Sequence, residues 1–183
     1  MNVQILSFSA RREGNCDGIV RAIAEHHAVD AVTVHRLAEM DISPCRECRY
    51  ECFRQEACPH AGDELIPLYA ALSQADLAYF VLPNYCDAPP AMYFAFNERS
   101  AYYFGGREDL LQAYLSVPKR FVVVSGSELP IFGQLLQQHA AEEPDILFLA
   151  ARDYGQKSLE GRLMENEEAR DKLLHWLGTH ELT

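Results

Sequence analysis

Four of the chain's six cysteines, Cys45, Cys48, Cys52 and Cys58, fall in one short run with the pattern C-x2-C-x3-C-x5-C. Thiolates are soft ligands, and four in one loop can meet at a single centre without help from distant segments. An iron–sulfur cluster takes four thiolates, and a proline directly after the last one, here Pro59, occurs in ferredoxin-type runs. A structural zinc ion also takes four cysteines, usually as two C-x-x-C pairs separated by a longer excursion. The compact spacing favours a cluster over zinc, and the remaining outcome is that these thiols hold no metal. Cys16 and Cys86 stand apart and read as small packing residues, since free cysteine is commonly buried. His60, beside the run, reads as incidental.

Two other stretches carry donors suited to a ligand. SARREGNCDG places Ser9, Arg11, Arg12 and Asn15 just before an expected helix start. Free backbone N–H groups and the positive end of the helix dipole make such a start an anion cradle, to which hydroxyl, amide and guanidinium groups add. It is neither the dinucleotide glycine fingerprint nor a P-loop. PNYCDAPP combines Asn84 and Tyr85 with stiffening prolines, a surface for a planar ligand. Ser125, Gly126 and Ser127 form a small-residue turn that permits close approach. No Ser/His/Asp set or zinc-protease motif is present, so no side chain stands out as a catalytic acid, base or nucleophile.

These loops need a frame. Asn2–Phe8 and Ala31–Leu37 read as strands, and Asp76–Pro83, Lys119–Ser125 and Asp145–Ala150 as continuous apolar runs typical of strands buried on both faces. Helical spacing follows the first strand (Cys16, Ile19, Val20, Ile23, His27), with Asn15 as its N-cap. It recurs at Leu65, Tyr69 and Leu72 behind Asp63, at Phe132, Leu135, Leu136 and Ala140 behind Pro130, and at Ala169, Leu173 and Leu177. The aromatic run with Tyr93, Phe94, Phe96, Tyr102, Tyr103 and Phe104 suggests core or interface packing. Alternating strands and helices predict one doubly wound α/β domain over residues 1–183, with a cysteine-rich insertion at 42–60. Ligands in such sheets sit beyond the carboxyl ends of the strands, where Ser9–Asn15, Pro83–Pro90 and Ser125–Pro130 emerge.

The 183 residues carry a formal net charge of -11, which disfavours binding to nucleic acid or to anionic membranes. With 49% apolar residues there is material for a full core. Neither a secretory signal nor a membrane-length apolar run is apparent, so a reducing cytoplasm is the expected setting, where clustered cysteines serve metals or redox chemistry.

Taken together, the chain resembles the flavodoxin-like NAD(P)H-dependent FMN reductases, and within them the iron–sulfur flavoproteins. The resemblance rests on Ser9, Arg11, Asn15 and Cys16 as the phosphate loop, on Cys45 to Cys58 followed by Asp63 and Glu64, and on Pro83, Asn84 and Tyr85 as a Pro-x-Tyr loop. Cys16 stands where a hydroxyl is usual, one extra residue precedes Cys52, and Phe94 and Glu98 replace a lysine and an aspartate. What the resemblance implies is a five-stranded parallel sheet of order 2-1-3-4-5 with helices on both faces. It also implies FMN phosphate on Ser9, Arg11, Asn15 and Cys16, with the flavin ring against Pro83, Asn84, Tyr85, Cys86 and Gly126. The expected activity is electron transfer between FMN and a 4Fe–4S cluster on Cys45, Cys48, Cys52 and Cys58, with NAD(P)H as donor. The expected partners are a small-molecule or protein redox partner and further copies of the chain in a dimer or tetramer. The alternatives are a cluster-free FMN or quinone reductase and a non-enzymatic electron carrier or redox or metal sensor.

Overall fold

The computed structural model describes residues 1–46, 48–54, 58–126 and 130–179, and the side chains of 130–132 lie outside that description. Its centre is a five-stranded sheet of β1 (Asn2–Ser7), β2 (Ala31–Arg36), β3 (Leu77–Pro83), β4 (Lys119–Ser125) and β5 (Asp145–Ala150). The order is β2-β1-β3-β4-β5 and every pairing is parallel. Chain order therefore reverses direction between β1 and β3, and the loops after those strands open beside one another.

The apolar runs of β3 and β4 are continuous because both faces are covered. Tyr79, Val81, Val122 and Val124 point to one face, where α1 (Asn15–His26) and α7 (Glu167–Gly178) pack with Ile19, Ile23, Leu173 and Leu177. Phe80, Leu82, Phe121 and Val123 point to the other. There they meet α2 (Leu65–Leu72), α3 (Ala91–Glu98), α4 (Ser100–Phe104), α5 (Glu108–Ser116) and the end of α6 (Pro130–Leu136). Most of the aromatic run belongs to this second core. Tyr93, Phe96 and Tyr103 are buried, whereas Phe94 is 47% exposed.

Boundaries differ from expectation where side chains intervene. Asp76 stays outside β3 because its carboxylate accepts the Asn2 N–H at 2.6 Å. β2 ends at Arg36 because Leu37 opens a 3-10 turn. Gly14, not Asn15, is the N-cap of α1, and it makes no side-chain capping bond. Pro67 is tolerated in α2 because it sits in the first turn, where its missing N–H would have no intrahelical acceptor. Asn166 caps α7 by accepting the Ala169 N–H.

A buried polar chain crosses the second core. Tyr114 Oη lies 2.8 Å from His139 Nδ1, and His139 Nε2 lies 3.2 Å from Tyr93 Oη. Tyr93 Oη donates to the Leu135 carbonyl at 2.6 Å, so it accepts from Nε2–H, and Nδ1 in turn accepts from Tyr114. Burial, with some help from the charge of Lys119, pushes His139 down to about 3, so the ring stays neutral.

Candidate functional site: two loop clusters at the carboxyl ends of the strands

The loop after β1 is tightly built. Ser9, Asn15, Cys16 and Asp17 are all buried. Ser9 Oγ accepts the Arg11 N–H at 3.2 Å, and Glu13, held at φ 55°, donates its N–H to Asp17 Oδ2 at 2.6 Å. Arg36, at the end of β2, completes the Asp17 carboxylate's contacts at 2.7 Å. Burial pushes the Cys16 thiol up to about 12, so it is a protonated, weakly donating core residue against Ser9.

Asn15 and Arg11 turn towards the segment after β5. Asn15 Nδ2 donates to the Ser158 carbonyl at 3.2 Å, and its Oδ1 accepts the Leu163 N–H at 3.0 Å. The Arg11 guanidinium donates to the Leu159 carbonyl at 2.6 Å. Only folding reveals these contacts, since their partners are main-chain groups nearly 150 residues away.

Beside this loop, Asn84 follows β3. Its N–H donates to the Val124 carbonyl at 2.8 Å and its Nδ2 to Ser125 Oγ at 2.8 Å, while its Oδ1 is buried without a partner among the described residues. Tyr85 and Ala88 then exchange two main-chain hydrogen bonds around Cys86 and Asp87, at φ 48° and 65°. Positive φ at both central residues is the hallmark of a tight type I′ turn. This turn leaves Tyr85 52% exposed and Cys86 exposed at the rim. Gly126 continues from β4, and Ser127–Leu129 lie outside the described residues.

Parallel pairing thus brings Ser9–Asn15, Asn84–Ala88 and Ser125–Gly126 to one edge of the sheet. An FMN fits the chemistry of this edge. The first turn of α1 supplies N–H groups without intrahelical acceptors for a phosphate. The orphaned Asn84 Oδ1 supplies an acceptor that a flavin ring N–H would satisfy.

The second cluster is the cysteine loop between β2 and α2. Cys45, Cys48, Cys52 and Cys58 all line one cavity of about 320 Å³, together with Tyr50, Phe53, Arg99 and Tyr102. Its base is held by the end of α3. Glu98 accepts the Cys45 N–H at 2.5 Å. Arg99, only 3% exposed, donates to the carbonyls of Ser43 (3.0 Å) and His60 (2.6 Å), to Asp63 and to Cys58 Sγ (3.9 Å). Burial alone would raise the Asp63 carboxyl, but Arg99 and the N–H groups of Ser43 and Leu65 outweigh it and hold it below the usual carboxylate range.

Burial first, then Glu98 and the three other cysteines, push the Cys45 thiol up. Among the described residues, no three His, Cys, Asp or Glu side chains are placed to hold one metal ion. The thiols thus share a cavity without forming a closed tetrahedral site. His60 contributes its carbonyl, and its Nε2 is buried without a hydrogen-bond partner.

No protein-family profile and no curated protein matches the sequence. Solved structures do match its fold. A Streptococcus mutans protein, Smu.1420, superposes with a TM-score of 0.66 at 13% identity, over 95% of this chain and 100% of its own. An azoreductase from Bacillus anthracis superposes at 0.61 and 13% identity, over 94% and 99%. An NADH:FMN oxidoreductase in its apo form, EMOB, superposes at 0.51 and 15% identity, over 95% and 87%. The fold is flavodoxin-like.

Proposed function

We propose that the protein is a flavin-dependent oxidoreductase that takes a hydride from NAD(P)H onto FMN and passes electrons to a small-molecule acceptor such as a flavin or quinone. The observation that carries this reading is the edge described above, where the start of α1, whose first-turn N–H groups would suit a phosphate, and the Asn84 Oδ1 without a partner among the described residues follow neighbouring strands. Fold neighbours that include an NADH:FMN oxidoreductase and an azoreductase support it.

In this reading Ser9, Arg11, Asn15 and Cys16 build the phosphate loop. Pro83, Asn84, Tyr85, Cys86 and Gly126 form the wall against which the ring lies. FMN, when bound, supplies the hydride and electron chemistry, and the chain supplies position and exclusion of water. No side chain needs to act as an acid or base. Titration of the purified protein with FMN and with riboflavin, followed by flavin fluorescence, tests the assignment. One FMN per chain, bound more tightly than riboflavin, is expected; no binding of either would refute it.

A 4Fe–4S cluster on Cys45, Cys48, Cys52 and Cys58 is the second reading. Its specific support is that all four thiols line one cavity, with Arg99 donating to Cys58 Sγ and the Tyr50 N–H donating to Cys48 Sγ at 3.3 Å. Hydrogen bonds to thiolate sulfurs are among the levers that tune such clusters. Anaerobic reconstitution with iron and sulfide decides the matter: about four irons per chain support the cluster, and none leaves a cluster-free reductase. The exposed rings of Tyr50 and Phe53 at the mouth of the cavity suit contact with a redox partner or a second copy of the chain in a dimer or tetramer.

A further inference from the structure

The segment after β5 forms a closed loop with its own anchor points. Gly155 precedes it and Gly161 lies near its far end, at φ 66° and 76°, conformations that favour glycine. Gln156 Nε2 donates to the Arg162 carbonyl at 3.2 Å and ties its two ends together, and the Glu160 N–H donates to the Lys157 carbonyl at 2.9 Å across its middle. Such short loops with joined ends are frequently functional. Its tip, Leu159, is 82% exposed and buries nothing.

Two kinds of contact hold this loop to the first one. On the inner side, the Leu163 N–H to Asn15 Oδ1 bond is buried. A Cβ on Gly161 would stand 2.8 Å from both Arg11 Nη2 and the Glu13 carbonyl, so the backbones meet closely there. On the outer side, the tip is held by two main-chain carbonyls, that of Ser158 accepting from Asn15 Nδ2 at 3.2 Å and that of Leu159, in exposed surroundings, accepting from the Arg11 guanidinium. Arg11 is at the same time a cation of the phosphate loop proposed above, whose other arginine, Arg12, pairs with Glu39 at 2.8 Å. A neutral carbonyl is a poorer partner for a guanidinium than a phosphate oxygen, which carries charge and can be held bidentately.

We propose that residues 156–162 are a flap latched by Arg11, and that the phosphate of a bound flavin takes Arg11 from the Leu159 carbonyl and loosens the flap tip, which then hangs on the Asn15–Ser158 bond alone. The inference rests on the flavin reading and extends it. With Arg11 on the Leu159 carbonyl the flap is latched, and with Arg11 on a flavin phosphate its tip is loose. Riboflavin, without a phosphate, leaves the latch closed. The buried Asn15–Leu163 bond and the tight approach at Gly161 act as the hinge that keeps the flap attached.

Trypsin reads the flap directly, because Lys157 and Arg162 are both within it. Limited digestion of the full chain, with cleavage after these two residues mapped by mass spectrometry, is run alone, with saturating FMN and with riboflavin. Flavin occupancy is followed separately by fluorescence. FMN is expected to raise cleavage in the flap about tenfold, the order set by loss of one hydrogen bond from a charged donor, and riboflavin to leave it unchanged. Arg11→Gln, at an exposed position, is expected to be cut at the fast rate without ligand and to show no further response.

FMN that binds yet leaves flap cleavage unchanged or slower overturns the latch while sparing the flavin reading. If neither flavin binds, the flavin reading fails and the latch with it.

Discussion

At the scale of single residues, the site carries local strain and buried charge. Cys86 and Asp87 both sit at positive φ in the turn that follows Asn84. A cysteine has no local hydrogen bond to offset the left-handed conformation, which costs a non-glycine residue roughly 1–2 kcal/mol. Cys86→Gly is therefore expected to stabilise the fold by about 1 kcal/mol, after its greater unfolded-state freedom is subtracted, as read by urea unfolding. An unchanged or lowered stability would show that the Cys86 side chain holds the turn. Arg99 is the opposite case. Its guanidinium and Asp63 are both almost fully buried, and removing one partner leaves an uncompensated charge. Arg99→Gln should cost about 3–5 kcal/mol, and Asp63→Asn a comparable amount. In the same variants the cysteine thiols should react faster with a thiol reagent, because the base of their loop is released. The pattern of Cys45, Cys48, Cys52 and Cys58 points in the sequence to one metal centre, and the structure gathers the four thiols at one cavity without a metal-holding arrangement among the described residues. The clamp on that cavity was not legible in the sequence, because Arg99 lies 41 residues beyond Cys58 and meets it only through α3.

At the scale of elements, the strands were the most readable part. The apolar runs at 119–125 and 145–150 match β4 and β5 residue for residue, since burial on both faces leaves little room for any other pattern. The helices between β3 and β4 were harder, because aromatic residues crowd every face there and blur the helical period. The flap was invisible. It is latched through the Leu159 carbonyl, and main-chain acceptors leave no mark in a sequence. His139 shows how an element is pinned chemically, since its neutral ring ties the end of α6 to Tyr93 and Tyr114. Its pKa is about 3 in the fold against 6.5 for a free imidazole, so between those values the unfolded chain binds a proton that the native ring refuses. Its contribution is thus intact above pH 6.5 and lost as the pH falls towards 3, by up to about 1.4 kcal/mol per pH unit. His139→Phe is expected to flatten that part of the stability profile, which chemical denaturation at a series of pH values would measure. An unchanged slope would place the acid sensitivity elsewhere.

At the scale of the whole molecule, the sheet order puts the switch point between β1 and β3, and the proposed flavin site lies there, at the carboxyl ends of β1, β3 and β4. Among the described residues, no helix is long and apolar enough to cross a membrane. The two clusters are joined by α3, which starts just beyond the Asn84 loop and ends on the Glu98 and Arg99 that grip the cysteine loop. A flavin at the first cluster and a redox centre at the second would therefore share one rigid element, and the eight residues of α3 set their separation at about 12 Å along its axis. The proposed flavin at the edge beside Asn84 can be examined by adding NADPH or NADH anaerobically to FMN-loaded protein and following the absorbance of the oxidised flavin. Protein-bound FMN is expected to be bleached by at least one of the two donors and to recover its colour on addition of a quinone, with no iron supplied. Protein that binds no FMN, or binds it and leaves it oxidised with both donors, would refute a working flavin there.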